Sequence, residues 1–286
     1  MITIFTPTYN RKEKLNSLYT SLLNQNYKDF EWLIVDDGST DGTNNYIKEL
    51  QKENKINIRY IYKKNEGKMS AVNIAHQEAF GDCFMTIDSD DELMPNILSV
   101  LVRDFKKIEK KEELAGIVYL ASYKGNAKEI IGDKLPKNGT ECPYTDLSLK
   151  YKIKGDKATL WKTSVLRNYM FPIIEGEKFI PDLYLMMMIS RNYKIMTMNK
   201  SVMLVEYLDT GYSNNYFDLV KRNPLGTALY YKELYDFNPV LYNIYGYILF
   251  CIYGKKKIKN IIKEHPAKIK VIILYIPTWI VAKIRR

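Results

Sequence analysis

Histidine and cysteine are scarce in this 286-residue chain, which holds His76, His265, Cys83, Cys142 and Cys251 and no others of either type. Two histidines set far apart nearly exclude a histidine-built zinc site or a Ser-His-Asp triad. Three widely spaced cysteines with no CxxC pair exclude a disulfide framework and suggest a reducing compartment. Long apolar runs are also missing. The longest, Val271–Ala282, covers 12 residues and contains Pro277, against the roughly 20 needed to span a bilayer. No basic and apolar leader precedes the strand-like ITIFTPTYN at the start, so a signal peptide is not expected.

What is present is an ordinary globular composition, 46% hydrophobic and 27% charged. That excludes disorder, collagen and a disulfide miniprotein, and suits one large core or a core plus a smaller helical piece. The charge is unevenly placed. The formal net charge is +10, yet residues 251–286 carry ten Lys/Arg and one acid, Glu264, while the other 250 residues are close to neutral. A basic tail of this kind suits nucleic acid, an anionic membrane, or solubility alone.

The first 120 residues alternate apolar runs with helical patterns. Strands are predicted at 2–6, 30–36, 58–62, 83–88 and 114–121. Helices are predicted at 11–25, 42–53 (capped by Thr40 or Asp41), 68–79, and from Pro95 to about 110. Such alternation predicts a mainly parallel sheet flanked by helices. Residues 123–160 are mixed and glycine-punctuated. A helix is predicted over 182–192 and a strand over 194–205. The composition shift near Asn215 is the one candidate boundary, dividing 1–215 (halves 1–95 and 96–215) from a helical, Tyr-rich and basic 216–286.

In open α/β sheets ligands bind beyond the carboxyl ends of the strands. There the sequence places Thr6-Pro7-Thr8-Tyr9-Asn10, Asp36-Asp37-Gly38-Ser39 and Asp88-Ser89-Asp90-Asp91. Asp and Ser in the second cluster suit a plain turn. Three carboxylates in four residues repel one another, and a divalent cation would offset that cost.

TIFTPTYNR, VDDGSTDGT, NEGKMSAVN and TIDSDD, in this order and spacing, resemble family 2 glycosyltransferases. The resemblance covers about residues 1–215. GEKFIPD and VEYLDTGYSNN further resemble bacterial enzymes that build surface polysaccharides. The resemblance implies an α/β GT-A (nucleotide-diphospho-sugar transferase) fold, to which the sequence pattern itself adds a C-terminal helical, basic and apolar extension. It also implies roles. Pro7, Thr8 and Tyr9 border the base, with Tyr9 offering a ring face, and Asp37 accepts from base or ribose. Asp88 and Asp90 match the DxD pair, Asp90 on the metal (Mg2+ or Mn2+) and Asp88 on ribose or a metal-bound water. Asp91 is either a supporting group or a helix cap. Gly67 and Lys68 stand where a strand feeds a helix, with Lys68 facing the diphosphate or solvent, and Asn73 matches a common family residue.

The acceptor hydroxyl needs a base to take its proton. Asp182, in Phe179-Ile180-Pro181-Asp182-Leu183, stands where the family carries a Glu-Asp or Pro-Glu pair, with Asp in place of the commoner Glu; Glu177 is the alternative. A simple helix start also explains Pro181-Asp182. Gly155-Asp156 lines an acceptor or sugar pocket or forms a β-turn. Glu206-Tyr207 to Gly211-Tyr212-Ser213-Asn214 resembles a closing loop.

In the tail, lysines alternate with Ile, Tyr and Trp over KKKIKNIIKE and IKVIILYIPTWIVAKIRR. That pattern fits an interfacial membrane helix or a face packed on the catalytic domain or a second subunit, as in a homo-oligomer. The leading expectation is an inverting, metal-dependent hexosyl-type transferase at the cytoplasmic face of the cell membrane. It would move sugar from a nucleotide sugar, UDP-linked, to a lipid-linked saccharide or other envelope polysaccharide precursor. Two alternatives stand beside it. A sugar-1-phosphate nucleotidyltransferase would want a Gly-rich, Arg-containing loop after strand one, which TPTYNRKEK lacks. A non-catalytic protein with a nucleic-acid-binding tail would want a recognisable motif, and none is present, so no nucleic acid partner is expected.

Overall fold

The computed structural model describes residues 1–206 and 216–284. Runs rich in β-branched and aromatic residues, buried on both faces in all but the edge strand Asn57–Tyr62, build the first half of its sheet. These are β1 (Ile2–Thr8), β2 (Phe30–Asp36), β3 (Asn57–Tyr62) and β4 (Cys83–Thr86). Burial on both faces is what a parallel sheet covered by helices requires. β1 pairs in parallel with β2 and β4, and β2 in parallel with β3. The chain then adds β5 (Glu92–Leu93), β6 (Leu114–Tyr123), β7 (Asn126–Ile130), β8 (Glu141–Cys142), β9 (Lys157–Lys162) and β10 (Lys194–Val205). The strand order is β3-β2-β1-β4-β9-β6-β10-β5, with β7 on β6 and β8 on β10. Of the strands on this path only β9 and β5 run against the rest, so the sheet is mixed and mostly parallel.

Helices Leu15–Leu23, Thr43–Glu53, Lys68–Glu78 and Ile97–Phe105 follow β1, β2, β3 and β5. Leu15, Leu18 and Leu22 are fully buried, at helical spacing, in one core with Ile2, Ile4, Trp32 and Met85. Each fully buried leucine contributes about 1.5–3 kcal/mol. The Trp32 indole N–H donates to Thr6 Oγ1 at 2.9 Å, which satisfies a polar group that burial would otherwise penalise. The three cysteines are free and buried.

The helix after β5 starts later than the sequence predicts. Met94 N still donates to Val202 O at 3.0 Å, so the chain at Pro95 is only leaving the sheet. Asn96 takes a left-handed turn (φ 55°) and the helix begins at Ile97. It ends at Phe105, and tighter turns carry the chain on to Lys111.

The chain divides into two units, Met1–Met170 with Met188–Tyr207, and Phe171–Met187 with Leu208–Arg286. The first holds the sheet. The second is helical: Tyr216–Arg222, Pro224–Phe237, Leu241–Tyr253, Ile258–Glu264 and Lys268–Ile284. Within it the Tyr231 ring stacks on Phe250 at 5.7 Å. A Cβ on Gly246 would stand 2.6 Å from that tyrosine, so glycine in the middle of an apolar helix is what lets the ring approach. His265 lies buried against the rings of Tyr235 and Tyr247, its Nδ1 accepting from Ala267 N at 3.0 Å. Among the described residues no helix is long and apolar enough to cross a membrane.

Candidate active site

β1, β2 and β4 are adjacent and parallel, so their carboxyl-terminal turns emerge side by side. Short bonds lace these turns together. Asp37 N donates to Thr8 O and Ile87 N to Phe5 O, both at 2.9 Å. Asn10 N donates to Ser39 Oγ at 2.8 Å, and Asn10 Oδ1 accepts from Thr40 N at 2.7 Å. The Asp41 carboxylate accepts from the Thr43 hydroxyl at 2.6 Å, from Lys12 N and from Thr43 N; burial acts to raise it, but these bonds together hold it below the usual carboxylate range.

Asp36 and Asp37 hold the floor. Asp36 accepts from Ser39 N at 2.8 Å and from the Tyr60 hydroxyl at 2.5 Å. Asp37 is buried, and both of its oxygens are engaged: Oδ1 by Lys63 Nζ (2.7 Å) and Glu66 N (2.9 Å), Oδ2 by Gly67 N (2.8 Å). Asp37, the residue expected to meet base or ribose, thereby also clasps the 63–67 loop. Gly67 has φ 97° and ψ 159°, a region that an L-residue reaches only under strain, and it starts the helix Lys68–Glu78. Asn73 is buried on that helix.

The acidic turn after β4 gathers charge of both signs. Lys68 Nζ donates to Asp88 Oδ2 at 2.9 Å, and Arg11 Nη1 to Asp90 Oδ2 at 2.6 Å. Asp91 accepts from Glu206 N at 3.2 Å, which ties the turn to the end of β10. Burial, then the charges of Asp88 and Asp90, push Asp91 up to about 8. Glu206 in turn takes Lys14 and Lys124, each within 3.5 Å. Pro7 is half-buried, Tyr9 presents an exposed ring, and Thr8 is buried. Thr8 Oγ1 and Asp88 Oδ1 are buried without a hydrogen-bond partner, and such atoms in a cleft of charges suit a ligand that supplies the missing bonds.

Among the described residues no three His, Cys, Asp or Glu side chains stand ready to hold a metal. Two carboxylates, one with an orphaned oxygen, still fit Mg2+ or Mn2+. Mg2+ is commonly held by one or two carboxylates together with substrate phosphates. Arg11 and Lys63 were not singled out in the sequence, and Glu206 stood there only as the first residue of the expected closing loop. Arg11 is separated from its partner Asp90 by 79 residues, and only the parallel pairing of β1 with β4 brings them together.

The other expected residues stand on other segments of the chain. Asp156 is exposed in the turn before β9, where Lys157 Nζ donates to the carbonyls of Ile131, Lys154 and Gly155. Asp182, in the helical unit, is exposed on the turn that starts helix Leu183–Ser190. Burial, then the charge of Asp182, push the Tyr216 hydroxyl above its ordinary value. Glu177 is half-buried and clamps a helix start, its two oxygens accepting from Leu225 N and Gly226 N at 2.7 Å each. Burial raises it above the ordinary glutamate value even though both bonds act to lower it. Tyr212 and Ser213 fall outside the described residues.

Fold and site together define an α/β protein of the GT-A type. The chain belongs to the family described as Glycosyl transferase family 2, whose profile matches residues 3–157. A Campylobacter jejuni GalNAc(5)-diNAcBac-PP-undecaprenol beta-1,3-glucosyltransferase is 30% identical over 172 residues, 59% of this chain and 54% of that protein. An Escherichia coli chondroitin synthase is 36% identical over 107 residues, 37% of this chain and 16% of that protein. The chain spans about half or less of the length of these curated relatives. S. aureus TarS 1-349 in complex with UDP-GlcNAc superposes with TM-score 0.65 at 19% identity, covering 98% of this chain and 79% of that one. The mannosyltransferase PcManGT from Pyrobaculum calidifontis, in complex with GDP-Man and Mn2+, gives TM-score 0.57 at 18% identity over 99% and 83%. At these identities the likeness is one of fold.

Proposed function

We propose that this chain is an inverting, metal-dependent glycosyltransferase. It moves a hexosyl group from a UDP-sugar to a hydroxyl of a lipid-linked saccharide or related envelope polysaccharide precursor, at the inner face of the cell membrane. The observation that carries this reading is the cluster after β4. Asp88 and Asp90 stand with Lys68 and Arg11 at the carboxyl ends of neighbouring strands, and Asp88 Oδ1 lacks a partner there. One relative named for an undecaprenol-linked glycan and a fold neighbour bound to UDP-GlcNAc support the choice of substrates.

Asp90 and Asp88 would hold the divalent cation, which as a Lewis acid supplies stabilisation of charge on the departing diphosphate. Arg11 and Lys68 neutralise the two carboxylates in the ligand-free protein. A diphosphate competes for the same two cations, and charge-assisted bonds from Arg to phosphate are among the strong ones. The Tyr9 ring offers a face to the base, and Thr8 Oγ1 offers an unfilled hydrogen bond beside it. Asp182 takes the acceptor proton as the acceptor oxygen bonds to the anomeric carbon. The bond from that carbon to the β-phosphate oxygen breaks on the opposite side, and the configuration inverts.

A screen of UDP-, GDP- and other nucleotide sugars for metal-dependent thermal stabilisation and slow hydrolysis tests the reading. A UDP-sugar that stabilises the protein only with Mg2+ or Mn2+ is the expected result. No response to any nucleotide sugar would overturn it.

A further inference from the structure

Helix Lys268–Ile284 is apolar on two sides. Val271, Thr278 and Ala282 are buried at helical spacing within the helical unit. The opposite side carries Ile269, Ile272, Ile273, Ile276 and Ile280, five isoleucines at i, i+3, i+4, i+7 and i+11. Ile269 is 74% exposed and Ile273 and Ile276 each 67%. Isolated apolar residues on a surface need no explanation, but a continuous stripe of β-branched side chains along one helix marks an interaction face. Beside it opens a cleft of about 250 Å3 lined by Lys255, Lys256, Lys283, Tyr275 and Trp279. Lys283 Nζ lies 5.3 Å from the centre of the Trp279 ring, and Lys256 pairs with Glu264.

We propose that this face lies in the plane of an anionic phospholipid surface, with a lipid phosphate seated in the lysine cleft. The inference deepens the membrane partner named above and rests on that reading only for its biological sense. The helix has 17 residues, about 25 Å at 1.5 Å per residue, which falls short of the hydrocarbon thickness. Its inward side is already covered, so it can offer a membrane one face and cannot cross it. Lysines at both ends of the stripe, Lys268, Lys270 and Lys283, keep their charge in the headgroup layer while their stems lie along apolar surface. Charge decides the occupant. Residues 251–286 carry ten basic groups against one acid, which attracts anionic lipid and repels a second copy of the same face in a twofold interface.

The test is co-sedimentation of the full chain with phosphatidylcholine vesicles, with and without phosphatidylglycerol. Selective binding to the phosphatidylglycerol vesicles is expected. Replacing Ile269→Gln, Ile273→Gln and Ile276→Gln together should weaken that binding about tenfold or more. Lys255→Gln with Lys283→Gln should weaken it about fivefold per lysine removed while leaving the fold untouched. Sedimentation velocity of the same proteins identifies a competing occupant. The proposal is overturned if the wild type ignores anionic vesicles. It is likewise overturned if either set of substitutions binds them as tightly as wild type, or if the wild type is a dimer that the isoleucine changes dissociate. The measurement uses no sugar nucleotide, so its failure and a failure of the transfer reading are separate results.

Discussion

At the scale of single residues, the DxD pair is occupied from within: Lys68 holds Asp88 and Arg11 holds Asp90. If these cations turn to a diphosphate when donor binds, Arg11→Gln and Lys68→Gln should each weaken UDP about tenfold or more, in line with the 1.5–3 kcal/mol of a charged hydrogen bond. Uridine, which lacks phosphate, should bind all three proteins alike, and isothermal titration calorimetry reads the difference. Asp182 and Glu177 are separated by a second experiment. Asp182→Asn should abolish transfer and leave UDP binding intact. Near-normal turnover of that variant would remove Asp182 as the base. Part of this was legible in the sequence. Asp88, Asp90 and Lys68 stand in patterned stretches, whereas Arg11 is one of three basic residues in Arg11-Lys12-Glu13-Lys14 and its partner is set by strand pairing across 79 positions. The clasp made by Asp37 was equally hidden, because its partners are mostly backbone N–H groups.

At the scale of elements, Glu177 acts as a tertiary cap for helix Pro224–Phe237. Its carboxylate satisfies the N–H groups of Leu225 and Gly226, two of the donors that a helix start leaves open. Glu177→Ala should cost about 1–3 kcal/mol by stranding them, read as a lower urea midpoint, with kcat affected far less than by Asp182→Asn. The long strands could be read ahead of the structure, because runs such as Trp32-Leu33-Ile34-Val35 are apolar and are followed by turn residues. β5, β7 and β8 could not. β5 is only Glu92–Leu93, and it exists because Leu93 and Glu92 meet Met203 and Leu204 of β10, a pairing that no local pattern announces. The same pairing delays the helix expected at Pro95.

At the scale of the whole molecule, buried histidine sets an acid limit. Burial holds His76 down at about 4, although its bonds to backbone oppose the shift, and burial likewise lowers His265 to about 4. Both stay neutral in the folded chain and charge more readily once unfolded. Between pH 6.5 and 4 the unfolded state therefore binds more protons. The stability that His76 contributes is complete above about pH 6.5 and falls toward pH 4, at most by about 1.4 kcal/mol per pH unit, while Asp91, protonated below about 8 in the folded chain, acts in the opposite direction. Melting temperature measured across this range should drop on acidification, and His76→Gln should flatten the drop if the variant folds. The uneven charge of the chain also gains a structural meaning. The acidic groups of the sheet unit include the Asp88 and Asp90 cluster, while the basic excess is concentrated in residues 251–286, where helix Lys268–Ile284 exposes a face of isoleucines.

The central claim is that Asp88 and Asp90 bind a nucleotide sugar through a divalent cation. Calorimetric titration of UDP into wild type and Asp90→Asn, each with and without Mn2+, tests it most directly. The account predicts that Mn2+ tightens UDP binding to wild type by at least about tenfold and leaves the variant unchanged, a coupling of about 1.4 kcal/mol. Equal UDP affinity in wild type with and without Mn2+, or the same Mn2+ effect in Asp90→Asn, would contradict it.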